Sequence, residues 1–283
     1  MADASPTVRQ RELGLRLRMI RTELGLTVED VAAKLMCSAA KISRMETGAR
    51  RPVPRDVRDL CELYNLDAAT SAELMNLTRQ AREQGWWARY DDLDLYPYIG
   101  LEQSASSITH YSMSWVHALL QTEDYAREII KAIVPQISPA VHQQRVEARL
   151  RRQELLEAET PPRYRVFLDE LVLRRPVGNS MIMAAQIGKI LKVVDDGKVT
   201  VQVIPFESGA YPAADVMFTM LEFTEQLLRP VVFVEGLASH QYYEHTSDIV
   251  RYREAIDYIR DCALSPRNSA QLLVDIQRSY EFG

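Results

Sequence analysis

The feature that most constrains this chain is the stretch 27–46, TVEDVAAKLMCSAAKISRME. Apolar residues recur at helical spacing twice in succession, separated by a break too short for anything but a turn. Thr27 is placed to cap a first helix, with Asp30 at its third position as the return half of a capping box. Val28, Val31, Ala32 and Leu35 then form an inward stripe. Past Met36 and Cys37, Ser38 is placed to cap a second helix. In it Ala39, Ile42 and Met45 point inward, while Ala40, Lys41 and Arg44 point outward. A small residue at Ala32 lets the two helices cross closely, and the branched Ile42, ten positions on, fills the gap between them.

That spacing is the skeleton of a helix-turn-helix. Over 17–52, LRMIRTELGLTVEDVAAKLMCSAAKISRMETGARRP, the chain resembles the XRE class of repressors, relatives of the lambdoid phage repressors. The features in common are an Arg-bearing first helix, Gly-Leu-Thr at 25–27, Ala32, Ile-Ser-Arg at 42–44, and Glu46-x-Gly48 followed by basic residues and Pro52. One departure is Met36, where the pattern often has a glycine to accept a left-handed turn.

The resemblance implies a mode of docking. The helix over 38–47 would lie in the major groove of an operator with Ala39, Ala40, Lys41 and Arg44 nearest the base edges. Arg44 would take guanine O6 and N7 together, and the alanine methyls would meet thymine methyls. Ser38, Ser43, Arg50 and Arg51, with Thr27 and Val28 at the amide end of the preceding helix, would hold phosphates. Arg21 lies on the apolar side of the first helix, near Leu17 and Leu24, where a charge needs a partner. In the repressors the chain resembles, that partner matches Glu46, so an Arg21–Glu46 ion pair is expected.

Charge supports this placement. The chain carries a net −5, yet residues 1–59 hold 12 Lys+Arg against 8 Asp+Glu, which leaves −9 for the rest. The basic part coincides with the helix-turn-helix. At 283 residues, 47% of them hydrophobic, the chain is long enough for two domains with sizeable cores. The expected division is a five-helix DNA-binding bundle over 1–84, opening with an arm at 1–8, then an aromatic connector over 85–103 and a larger α+β domain over 104–283. The connector contains GWWARYDDLDLYPYIGLEQ, whose aromatic residues suit packing on a domain surface better than a flexible link.

The expected α+β domain has a small sheet of about four strands, from the runs at 163–171, 199–206, 217–223 and 231–236, with a strand-like segment near 106–111. Helices are expected at 123–133, 138–157, 180–194, 246–262 and 269–280. On the second of these, Arg145, Arg149 and Arg152 form a basic stripe that reads first as a salt-laced surface and otherwise as a seat for an acidic partner. The segments LLQTEDYA (119–126), RVEARLRRQELL (145–156), LDELVLRRPVG (168–178), VQVIPFESGA (201–210) and ALSPRNS (263–269) resemble a C-terminal domain catalogued as of unknown function. It is found behind this helix-turn-helix mainly in actinobacterial regulators. That resemblance implies antitoxin-like or developmental regulators, whose genes often neighbour one for a small acidic protein. His117-Ala118 departs from the usual Pro-Gly before this Leu-Leu-Gln-Thr.

Candidate chemistry elsewhere is thin. Asp169 and Glu170 are adjacent on an expected strand and would face opposite ways. His240, Glu244 and His245 have a spacing that fits no zinc helix, so no metal site is expected. Ser208 lacks the flanking glycines of a nucleophile elbow, and no glycine-rich phosphate loop is present. Cys37, Cys61 and Cys262 are too few and too scattered for a disulfide framework or a zinc site. No apolar run approaches membrane-spanning length.

The expected protein is a cytoplasmic, non-enzymatic transcription regulator without cofactor. It would bind a palindromic double-stranded operator as a homodimer, with its C-terminal domain binding a small molecule or small protein. The alternative is an antitoxin-like interaction protein that sequesters a small partner and autoregulates its own operon.

Overall fold

The computed structural model describes residues 5–90, 96–224, 228–236 and 239–282. They form two compact units, one drawn from Met1–Arg89, Leu95–Ser104 and Glu225–Leu228, the other from Tyr90–Asp94, Ala105–Thr224 and Arg229–Gly283.

The first unit is helical: α1 (Pro6–Glu23), α2 (Val28–Lys34), α3 (Ala39–Glu46), α4 (Pro54–Leu63), α5 (Ala68–Gln80), a 3-10 turn (Trp86–Arg89) and α6 (Tyr96–Glu102). Side-chain oxygens start most of these helices. Ser5 accepts from the Val8 amide, Thr27 from Asp30, Ser38 from Lys41 and Asp67 from Thr70. Helix α1 therefore begins inside the arm expected over 1–8, of which residues 1–4 lie outside the described residues. The apolar stripes meet in one core that includes Leu17, Val31, Ile42, Val57, Leu60 and Leu74.

One close approach in this core is at Gly14 of α1. A Cβ there would come within 2.6 Å of the Met45 carbonyl and 2.7 Å of the Glu46 carbonyl. Only a glycine lets α1 lie directly on the end of α3.

Apart from Tyr90, the described part of the aromatic stretch is built into this unit. Trp87 and Tyr98 are buried, and Gly100 faces Thr7 and Trp87 too closely to carry a side chain. These rings fill a core. Residues 91–95 of the expected connector lie outside the described residues.

The second unit holds a six-stranded mixed sheet among the described residues, not the four strands expected. Its strands are β1 (Ser107–Ser112), β2 (Arg163–Asp169), β3 (Thr200–Ile204), β4 (Phe218–Glu222), β5 (Val231–Glu235) and β6 (His240–Tyr243), in the order β3-β2-β1-β4-β5-β6. β1, β2 and β3 pair in parallel, and β4, β5 and β6 continue antiparallel from β1. The parallel strands are joined by helical crossovers, α7 (Glu123–Ile133) with α8 (Pro139–Arg152), then α9 (Glu170–Arg174) with α10 (Ser180–Asp195). Two terminal helices follow, α11 (Thr246–Cys262) and α12 (Pro266–Phe282). Tyr111, Phe167, Ile204, Phe218 and Val232 share one sheet face, against which α11 packs Ile249, Ile256 and Ile259. The two beyond the expected four are β1, the strand-like segment near 106–111, and β6. β6 is a four-residue polar edge, HQYY, whose side chains give little apolar alternation to read.

The structure also redraws the end of the strand expected over 163–171 and places the histidines considered above. Glu170 opens α9 rather than continuing a strand, and is buried against Arg174 and the Phe206 amide. Asp169 caps that helix and accepts from the Tyr211 hydroxyl at 2.6 Å. His240 sits on β6 opposite Glu235, so it shares no helix face with Glu244, and His245 is the residue before α11. No His/Cys/Asp/Glu group among the described residues is arranged to hold a metal.

The arginine stripe of α8 turns inward. Arg152 is buried, and Arg149 donates through Nη1 to Gln121 Oε1 at 2.9 Å. Burial, reinforced by Arg152, pushes the Arg149 guanidinium down to about 10, still charged at neutral pH. Gln121 is a hub. Its backbone carbonyl accepts from the Gln153 side chain and from the Lys189 ammonium, each at 2.8 Å, and its side-chain amide donates through Nε2 to the Val116 carbonyl at 2.7 Å. The stripe thus clamps the 3-10 turn Ala118–Leu120 to the crossover helices. His117, at the departure noted above, is buried with Nδ1 2.6 Å from the Tyr164 hydroxyl. Burial first, then Arg152 and Arg149, hold its pKa well below the usual imidazole value.

Candidate nucleic-acid interface

Which residues of α3 are available for contact is decided by what its other face packs against. Ile42, Met45 and Glu46 are buried, which leaves Ala40, Ser43, Arg44 and Thr47 exposed along one side. Ala39, expected among the base-reading residues, is half-buried and packs on the core instead. Thr47, which the sequence reading did not single out, continues the exposed row, its hydroxyl donating to the Ser43 carbonyl at 3.0 Å.

The turn before α3 is set by backbone geometry. Helix α2 ends with the Cys37 amide on the Ala32 carbonyl at 2.9 Å and the Met36 amide on Ala33 at 3.2 Å. This pair of bonds is a Schellman motif, which needs a left-handed residue at its centre. Met36 supplies it at φ 50° with its side chain 93% exposed, so the departure from glycine is accommodated as local strain.

The orientation of α3 is fixed by the Arg21–Glu46 pair. Arg21 Nε donates to Glu46 Oε1 at 2.6 Å and Nη2 to Oε2 at 2.9 Å, both side chains being nearly buried. Its third arm, Nη1, donates to the Leu26 carbonyl at 2.7 Å, tying in the loop before α2. The Glu46 hydrogen bond raises the Arg21 pKa, overcoming the opposing effect of burial. A bidentate, hydrogen-bonded geometry is what a buried pair requires to offset desolvation.

The remaining expected contacts are distributed unevenly. Ser38 is exposed and caps α3 through the Lys41 amide at 3.2 Å, which leaves its hydroxyl proton to donate outward. Arg50 is exposed beyond the helix, with its amide on the Arg44 carbonyl at 2.9 Å. Arg51 is partly committed elsewhere, donating through Nη2 to the carbonyls of Arg82 and Glu83 past the end of α5.

Thr27 and Val28 are poorly placed for phosphate. Thr27 gives both its amide and its hydroxyl to Asp30 Oδ2, at 2.8 and 2.7 Å, so a carboxylate already occupies the start of α2. Val28 packs its side chain on the core beside the acidic Glu29 and Asp30. Lys41 lies on the rim of the exposed face, with Nζ 2.7 Å from Asp56 Oδ1 of α4. On α1, Arg9 and Arg16 bracket the nearly buried Glu12, at 2.9 and 3.0 Å. Gly14 and Asp56 left no local mark in the sequence, because their partners are 15 to 32 residues distant, whereas Glu12 and Thr47 find theirs one turn away on the same helix.

This arrangement defines the protein as one carrying an XRE-type helix-turn-helix, and residues 12–74 match the family model described as a helix-turn-helix domain. Residues 95–275, more than half the chain, match the one described as domain of unknown function DUF5753, and the chain belongs to that family. No curated protein and no solved structure matches the chain. The helix-turn-helix points to a DNA-binding regulator. No helix among the described residues is long and apolar enough to cross a membrane.

Proposed function

We propose that this protein is a sequence-specific transcription regulator that binds a palindromic operator as a homodimer through α3. Its second unit adjusts that binding in response to a small molecule or small protein. The observation that carries the reading is the exposed row Ala40, Ser43 and Arg44 on a helix whose opposite face is locked by the Arg21–Glu46 pair. Arg44 has no side-chain partner among the described residues, so its guanidinium is available for bidentate contact with a guanine. Ser38, Ser43 and Arg50 surround it as phosphate contacts, with Arg51 fixing the loop that presents Arg50. Lys41 reaches the same groove from the rim.

The net −9 of residues 60–283 fits this division, because it discourages indiscriminate attachment to DNA outside the basic residues 1–59. We read the protein as a regulator without catalytic function, its second unit acting through binding. Genomic footprinting with the purified protein tests the proposal. Protected sites sharing two inverted half-sites about one helical turn apart support it. Uniform protection without a shared sequence would refute it.

A further inference from the structure

Resting on the DNA-binding reading above, we propose that Asp56 competes with DNA for the Lys41 ammonium and thereby sets how strongly, and how selectively, α3 engages a duplex. Lys41 is the third residue of α3, on the turn that would enter the groove first, and its only partner among the described residues is Asp56 at 2.7 Å. The pair joins two elements, α3 and the first turn of α4, across a cleft walled by Leu35, Cys37, Ile42, Met45 and Leu60.

Two features separate this pair from the structural one. The side chains of Lys41 and Asp56 are 25% and 17% exposed, against 10% and 5% for Arg21 and Glu46. The contact is also through a single ammonium rather than a fork, so the long lysine stem can swing to another acceptor without disturbing the core. Asp56 does not need Lys41 to remain in place, since a carboxylate in the first turn of a helix is favoured by that helix's own dipole. A partly exposed ion pair of this kind is held weakly enough to be exchanged for a phosphate or base oxygen.

The consequence is a restraint on indiscriminate binding. With Asp56 present, Lys41 leaves its partner only where the duplex offers an acceptor good enough to replace it. With Asp56 neutralised, Lys41 is free for any phosphate within reach. Asp59, one turn further along α4 in the same cleft, carries the same charge but does not pair with Lys41; its ionic contact is a long one to Arg55 at 3.9 Å. It therefore serves as the control for charge alone.

The experiment measures binding of the full chain to its footprinted operator and to a scrambled duplex over a range of salt, for wild type, Asp56→Asn, Asp59→Asn, Lys41→Met and the Lys41→Met/Asp56→Asn pair. Thermal melts establish that each variant is folded. We expect Asp56→Asn to tighten binding to the scrambled duplex about three- to tenfold, and binding to the operator by less, so that discrimination falls. Its salt dependence should steepen by about one released counterion. The gain should vanish in the Lys41→Met background and should exceed that of Asp59→Asn. A gain that persists without Lys41, or that Asp59→Asn matches, overturns the proposal. If wild type binds no duplex at all, it is the DNA-binding reading itself that fails.

Discussion

Glu46 is the residue at which fold and proposed function meet, because its carboxylate is both a core group and the anchor of the exposed helix. Replacing it with alanine leaves Arg21 buried without its counter-charge, which costs about 3 to 5 kcal/mol. Chemical denaturation of Glu46→Ala should show that loss, whereas a curve superimposable on wild type would mean the pair is dispensable. Met36 gives a prediction of opposite sign. Its backbone is left-handed and its side chain makes no use of the core, so Met36→Gly relieves strain while giving up almost no packing. We expect a gain of about 0.5 to 1 kcal/mol by the same measurement, and no gain would mean the turn is unstrained. At this scale the sequence was legible where a residue was out of place. A charge among apolar neighbours announced Arg21, and a methionine at a glycine position announced Met36. Gly14 was not legible, because a glycine inside a helix looks the same whether it faces a carbonyl 2.6 Å away or open solvent.

The elements were set largely by their first residues. Thr27, Ser38, Thr122 and Ser138 each accept from an amide three residues on, which is why those helix starts could be read directly from the chain. Two carboxylates at helix starts make the first unit acid-sensitive. Asp30 is held below the usual carboxylate range by the Thr27 hydroxyl and then the Thr27 amide, and Asp67 by the Thr70 amide and then its hydroxyl. A depressed native pKa means the stabilisation is fully present above the unfolded value, about 3.9, and is lost as pH falls through the lower native values. Stability of wild type should therefore decline more steeply below about pH 4 than that of an Asp30→Asn/Asp67→Asn variant. Parallel curves for the two proteins would show that these carboxylates do not contribute. Strands were harder to read than helices. Long apolar runs such as VVFVE identify a strand by themselves, but β6 is a short polar edge defined only by its pairing with β5, and pairing is not written locally. For the same reason the arginines of α8 read as surface residues, although Gln121 and the turn they clamp lie 28 or more positions away from Arg149 in the chain.

At the scale of the whole molecule, the basic charge is concentrated in residues 1–59, which carry the helix-turn-helix of the helical unit, and the remaining residues carry a net −9. The first was legible in outline because the helix-turn-helix is a local pattern in which spacing alone fixes which side chains face out. The second is assembled from contacts across long stretches of chain, and its Gln121 hub and buried His117 emerge only when the crossovers bring α8 and α10 to the same turn. The central claim remains that the exposed row of α3 reads a DNA sequence. The most direct test is selection of bound duplexes from a randomised pool by wild type and by Arg44→Ala, with both proteins shown to melt alike. We predict that Arg44→Ala loses about 1 to 3 kcal/mol of preference at one base pair in each half-site and keeps its preference at the others. An Arg44→Ala protein that selects the same sequences as wild type, with the same stringency at every position, would contradict the account.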